Sequence, residues 1–156
     1  MKRLNRRRRM FKTSLFDETT FYQQFSRDLI NASSEVIIES PFITISRVNK
    51  LSRVFEKLVN RGVRVNVITR LPNNHDAFMR IQAENAIQYF ESIGVQVLVT
   101  KNNHHRKLAI IDRGILWEGS LNILSQTRSR EVMRRIEGEN HAQDMFDFLE
   151  LGKFIK

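Results

Sequence analysis

Cysteine is absent from the 156 residues, which excludes disulfide bridges and thiolate metal sites. No apolar run approaches the ~20 residues that a bilayer-crossing helix needs, so membrane insertion is not expected. Arg8-Arg9-Met10-Phe11-Lys12 has the outline of a twin-arginine export signal, but Asp17 and Glu18 stand where its apolar region should be. These absences lead us to expect a cytoplasmic protein. H-E-x-x-H, Walker and EF-hand patterns are also missing, and we expect neither metal nor cofactor. No linker and no internal repeat interrupts the chain. Its length suits one domain with a core of its own.

Negative charge is missing from the start. Residues 1–12 hold Lys2, Arg3, Arg6, Arg7, Arg8, Arg9 and Lys12 and no acidic residue. The formal charge is +9, yet the other 144 residues carry 19 lysines and arginines against 17 acidic residues. The excess therefore sits in the tail. We read residues 1–17 as a basic, flexible arm suited to nucleic acid or anionic lipid, and residues 18–156 as one domain.

Prolines are only two, and the segments between turns are strongly periodic. Thr20 precedes Phe21, Phe25, Leu29 and Ala32 at helical spacing, with Gln23 placed for a capping box. Glu35 to Ser40 reads as a strand stopped by Pro41. Val48, Leu51, Phe55, Leu58 and Val59 mark a second helix, ended at Arg61-Gly62. Val63 to Ile68 is a strand. A third helix spans roughly 75–93, with Phe78, Ile81, Ile87, Phe90 and Ile93 inward and Gly94 as its stop. Val95 to Val99 is a strand. Further strands are expected over 107–111, 115–117 and 131–136, with Trp117 in the core. A closing helix is expected over 141–151, with Met145, Phe146 and Leu149 inward. Alternation of this kind predicts an α/β fold, a mixed sheet flanked by helices on both faces.

The chemistry concentrates at His105-Arg106-Lys107, continued by Asp112 and by Gly119-Ser120-Leu121-Asn122. The pattern is H-x-K, four residues, D, six residues, G-S-x-N. On a strand, residues two apart share a face, so His105 and Lys107 lie ~6.6 Å apart on one side. That sets an imidazole nucleophile beside a fixed cation. Asp112 falls on the opposite face and reads as structural. Gly119 lets backbone approach a ligand closely, and Ser120 and Asn122 can offer neutral donors to phosphate oxygens. Such a set describes a phosphate-ester pocket.

These residues resemble the HKD signature of the phospholipase D superfamily. The order of helices and strands before them, including Ser40-Pro41-Phe42 and Arg61-Gly62-Val63, fits the same fold. The resemblance covers most of residues 18–150, and its specific part is 105–122. It implies a phospholipase D-like domain in which two motifs build one active site. One histidine attacks phosphorus and the other protonates the leaving oxygen, while lysines and asparagines hold the charge of the transition state.

This sequence departs from that pattern by having one motif. His75, His104 and His141 are followed two residues on by Ala77, Arg106 and Gln143, so none starts a second H-x-K. The family's chemistry then implies a homodimer with two copies of His105 face to face. A carboxylate behind the histidine is a family feature, and Glu131 is the candidate. Arg106, Arg128 and Arg130 flank the motif and are placed to steer a polyanion. The reading that follows is a metal-independent phosphodiesterase, an endonuclease acting on DNA or RNA. Its candidate residues are His105, Lys107, Ser120, Asn122 and Glu131. Two alternatives remain open: a nucleic-acid-binding module of a larger assembly, and a phospholipid phosphodiesterase or phosphatidyltransferase.

Overall fold

Short runs rich in valine and isoleucine become strands of a single sheet, and the amphipathic segments between them become its covering helices. The computed structural model describes residues 11–125, 128–138 and 140–155. The strands are β1 (Phe11–Asp17), β2 (Glu35–Glu39), β3 (Arg64–Arg70), β4 (Gln96–Thr100), β5 (Leu108–Ile111), β6 (Ile115–Gly119) and β7 (Val132–Gly138). The α-helices are α1 (Phe21–Ile30), α2 (Ile45–Asn60), α3 (Ala77–Ser92) and α4 (His141–Phe148). Strand order is β1-β7-β6-β5-β2-β3-β4. β2, β3 and β4 run parallel, and every other pairing is antiparallel. The fold is therefore the mixed α/β sheet that the alternation predicts.

Helices lie on both faces. α1, α2 and α3 cover one side, where Phe21, Phe25, Phe55 and Phe90 surround Val36, Ile38, Val67 and Trp117. α4 and the turn after it cover the other, where Phe146, Leu151 and Ile155 meet Ile37, Ile110 and Leu116. Burying each large apolar side chain contributes about 1.5–3 kcal/mol. β2 has helices over both faces, and all five of its residues are buried.

The central strand nevertheless begins and ends on carboxylates. Glu35 pairs with Arg113 and Glu39 with Arg106. Asp28 on α1 accepts from both Trp117 Nε1 and Arg135 Nε at 2.8 Å. Bidentate arginine pairing satisfies these buried acids. Removing either partner of such a pair leaves an uncompensated charge.

Several expectations need correction. Phe11–Asp17 is not part of an arm: it forms the edge strand β1, paired along its length with β7. The folded unit therefore includes residues 11–17, and residues 1–10 lie outside the described ones. The Thr20 side chain does not cap α1. Its hydroxyl instead donates to Asp17 Oδ1 at 3.0 Å, and that carboxylate also takes the backbone N–H groups of Thr19 and Thr20. An aspartate turn has outcompeted the capping box. On α3 the inward face is Ala83, Ala86 and Phe90, while Phe78 and Ile81 are exposed. The small alanines let α3 approach closely, which rotates the larger residues outward.

Candidate active site

Three strand ends meet at one edge of the sheet. The antiparallel register pairs Glu39 with Leu108 and Leu108 with Glu118. The end of β2, the start of β5 and the end of β6 are therefore adjacent, and the motif residues sit where these strands stop.

The segment before β5 is not strand, as its sequence suggests, but an extended loop through residues 103–107. Its side chains are held individually. Asn103 accepts from Arg70 Nη2 at 3.1 Å. His104 is buried. His105 is exposed. Arg106 grips buried Glu39 with two hydrogen bonds of 2.8 and 2.9 Å. Lys107 Nζ donates to the His105 carbonyl at 2.9 Å, which ties the lysine to the loop carrying the histidine. One of its three hydrogens is so engaged, leaving others for an anion.

Gly119-Ser120-Leu121-Asn122 reaches the same edge from β6. Gly119 N donates to Lys107 O at 3.4 Å, which sets the two halves of the motif side by side. A Cβ on Gly119 would stand 2.1 Å from Val132 O, so only glycine fits there. Leu121, Ile123 and Leu124 are fully buried and anchor the turn. Leu124 N donates to Ser40 Oγ at 3.1 Å, and Ser125 N to Asn122 O at 3.0 Å. The Asn122 side-chain oxygen is buried with no hydrogen-bond partner among the described residues.

Ser120 and Glu131 differ from their sequence reading. The Ser120 hydroxyl donates to the Glu131 carboxylate and accepts from Val132 N at 3.0 Å. Its single hydrogen is committed, so Ser120 here positions the turn and is not a free donor. Glu131 in turn lies against Ser120 and makes no hydrogen bond to His105 among the described residues. Its own N–H donates to Glu18 Oε2 at 2.8 Å. Arg128 and Arg130 are exposed on the segment leading to β7. Arg106 is the third departure, since a guanidinium clamped on Glu39 serves the fold before it serves a ligand.

Asp112 stands at the far end of β5 with left-handed backbone, φ 51°. Its carboxylate takes the N–H groups of Ser33, Ser34 and Glu35 at 2.8–3.0 Å and both serine hydroxyls. Burial pushes its carboxyl up, but those donors outweigh it and hold the group below the usual carboxylate range. The sequence places this residue on a structural role, and it fastens the α1–β2 turn to the motif strand. Glu39 shows the opposite balance: burial pushes it up against the pull of Arg106.

Sequence reasoning did not foresee the environment of His104. Burial, then the charges of Arg106, His105 and Lys107, press its pKa down to about 4, and its Nε2 has no partner among the described residues. The neutral ring is buried, while its neighbour His105 is exposed. Its only trace in the sequence is the His-His doublet, which leaves open which ring is inward.

Residues 25–150 match the family described as cardiolipin synthase, PLD-like domain. No curated protein sequence matches the chain. Among solved structures it is similar to Nuc of Salmonella typhimurium, a phospholipase D family member, with TM-score 0.70 and 17% identity over 90% of this chain and 91% of that one. NucT from Helicobacter pylori gives TM-score 0.69 and 21% identity over 90% and 94%. Phosphatidylserine synthase of Haemophilus influenzae gives TM-score 0.71 and 15% identity, over 91% of this chain and 38% of that one. The matched span takes in the latter part of α1, all of α2, α3 and α4, β2 to β7 and the whole H-x-K to G-S-x-N segment, and the chain belongs to the phospholipase D-like family.

Proposed function

We propose that the chain is a metal-independent phosphodiesterase that cleaves nucleic acid, with one active site built from two copies. The observation that carries this reading is the gathering of Lys107 and Asn122 at one sheet edge, beside a loop that leaves the His105 ring in solvent. A histidine turned outward is available to meet a second copy of itself across a two-fold axis.

In the first step a nitrogen of one His105 bonds to phosphorus, and the bond from phosphorus to the leaving oxygen breaks. The leaving oxygen takes a proton from the other His105. Water then attacks phosphorus and gives a proton to that second ring, and the phosphorus–nitrogen bond breaks to restore the first. Lys107 and the Asn122 amide hydrogens neutralise the oxygens that gain charge. Glu131 acts through Ser120, fixing the turn that carries Asn122. The six basic residues within 1–10 of the sequence and the exposed Arg128 and Arg130 favour a polyanionic substrate.

The family description favours a second reading, transfer of a phosphatidyl group, in which an alcohol replaces water. One experiment separates the two. Plasmid DNA and labelled phosphatidylglycerol vesicles are each incubated with the protein in EDTA. Nicked plasmid and intact lipid are the expected result. Lipid turnover with intact plasmid overturns the nucleic-acid reading, and activity that needs added magnesium overturns the metal-independent one.

A further inference from the structure

A groove of about 550 Å³ opens beside the candidate site on the α4 face of the sheet. Its lining includes Lys107 and Gly119 of the motif together with Arg134 and Phe148. α4 stops at Phe148 and leaves part of the sheet uncovered. Leu15, Val132 and Phe148 are 61%, 53% and 82% exposed there. Single exposed apolar residues are ordinary, but these line one continuous channel.

The charges on its walls are not those of a purely apolar slot. Arg106, Lys107 and Arg134 face one acid, Glu118. Arg106 is already matched by Glu39, which leaves Lys107 and Arg134 as the working cations. Arg134 Nη1 donates to Thr13 Oγ1 at 2.6 Å, which holds the guanidinium over the groove with its other nitrogens unengaged among the described residues. Cations spaced along an aromatic and aliphatic channel suit a single nucleic-acid strand, whose phosphates meet the cations while a base stacks on a ring. A duplex keeps its bases stacked on one another and has no free face for Phe148.

We propose that this groove seats the single-stranded segment flanking the cleaved bond, with a phosphate on Arg134 and a base on Phe148. This rests on the nucleic-acid reading above and adds a preference for unpaired strands. Both side chains are surface residues, so Phe148→Ala with Arg134→Gln should leave the fold intact.

The test compares wild type and this double variant on three substrates: a labelled single strand of about 20 nucleotides, the same sequence as duplex, and bis(p-nitrophenyl) phosphate, which reaches only the catalytic pocket. KM for the single strand should rise roughly tenfold or more, the scale of one lost base stack. The small diester should be cleaved as before, and the duplex should change least. Unchanged KM on the single strand overturns the groove while leaving the nuclease reading in place. Failure of wild type to bind or cleave either nucleic acid overturns that reading itself. Loss of binding to phosphatidylglycerol vesicles, or of dimer in sedimentation, with oligonucleotide KM unchanged, reassigns the groove to a lipid chain or to a second copy.

Discussion

At the scale of single residues, two side chains of the motif region carry stability where their names suggest chemistry. Asp112 accepts five hydrogen bonds from Ser33, Ser34 and Glu35. Asp112→Asn keeps the residue's tolerance of left-handed backbone but removes the charge behind those bonds. We expect a loss of about 2 kcal/mol, the scale for hydrogen bonds to a charged group, read as a fall in denaturant midpoint with no change in slope. Because its folded pKa lies below the unfolded one, the stabilisation is present above pH ~4 and disappears as pH falls through the lowered value. His104 has the opposite chemistry and the same sign. Its ring stays neutral down to about pH 4 in the fold, while the unfolded chain takes up a proton near pH 6.5. Between those values the unfolded state binds more protons, so stability should decline as pH drops from about 6.5 to about 4. His104→Gln should flatten that decline in pH-resolved thermal melts. An unchanged slope would show that other groups set it.

At the scale of elements, the sheet explains which expectations hold. The apolar patterns locate every strand from β2 to β7 and every α-helix among the described residues, because each has apolar side chains to bury on one face or, as in β2, on both. β1 escapes that logic. Its seven residues are exposed or half-buried, so nothing in its own pattern marks it as strand, and only pairing with β7 defines it. The site divides in the same way. His105, Lys107, Ser120 and Asn122 are readable from spacing, since backbone register carries them to one edge. The Glu131–Ser120 contact and the Arg106–Glu39 clamp are not, since they depend on which rotamer reaches which partner across strands distant in sequence. Gly119 joins the two kinds of information. Its spacing marks the motif, and its reason is the β6–β7 contact. Gly119→Ala would drive a Cβ into Val132 O and Met133 Sδ, and the backbone would have to part. Overpacking of this kind costs about 1–3 kcal/mol and sometimes more. We expect reduced stability together with loss of turnover, because the same shift moves Ser120 and Asn122. Full activity at normal stability would mean that β7 can yield without disturbing the turn.

For the whole molecule, the proposed shared site makes a quantitative prediction about mixtures. His105→Ala chains mixed equally with wild type and allowed to exchange leave roughly a quarter of dimers with both histidines. Activity plotted against mutant fraction should then fall as a square. A straight line would mean that each chain cleaves alone, and that the second proton donor lies within one copy. The sheet order carries a different kind of consequence. β5, β6 and β7 form a local meander, but β2 must find β5 across the whole α2–α3 region, and β1 pairs residue 11 with residue 138. Contacts between such distant positions require large loops to close, which slows the search. On a ribosome, β1 would wait for nearly the entire chain before its partner existed. Until then the backbone N–H and C=O groups of β1 have no ladder to join, so the order of synthesis itself decides when the last edge of the sheet can close.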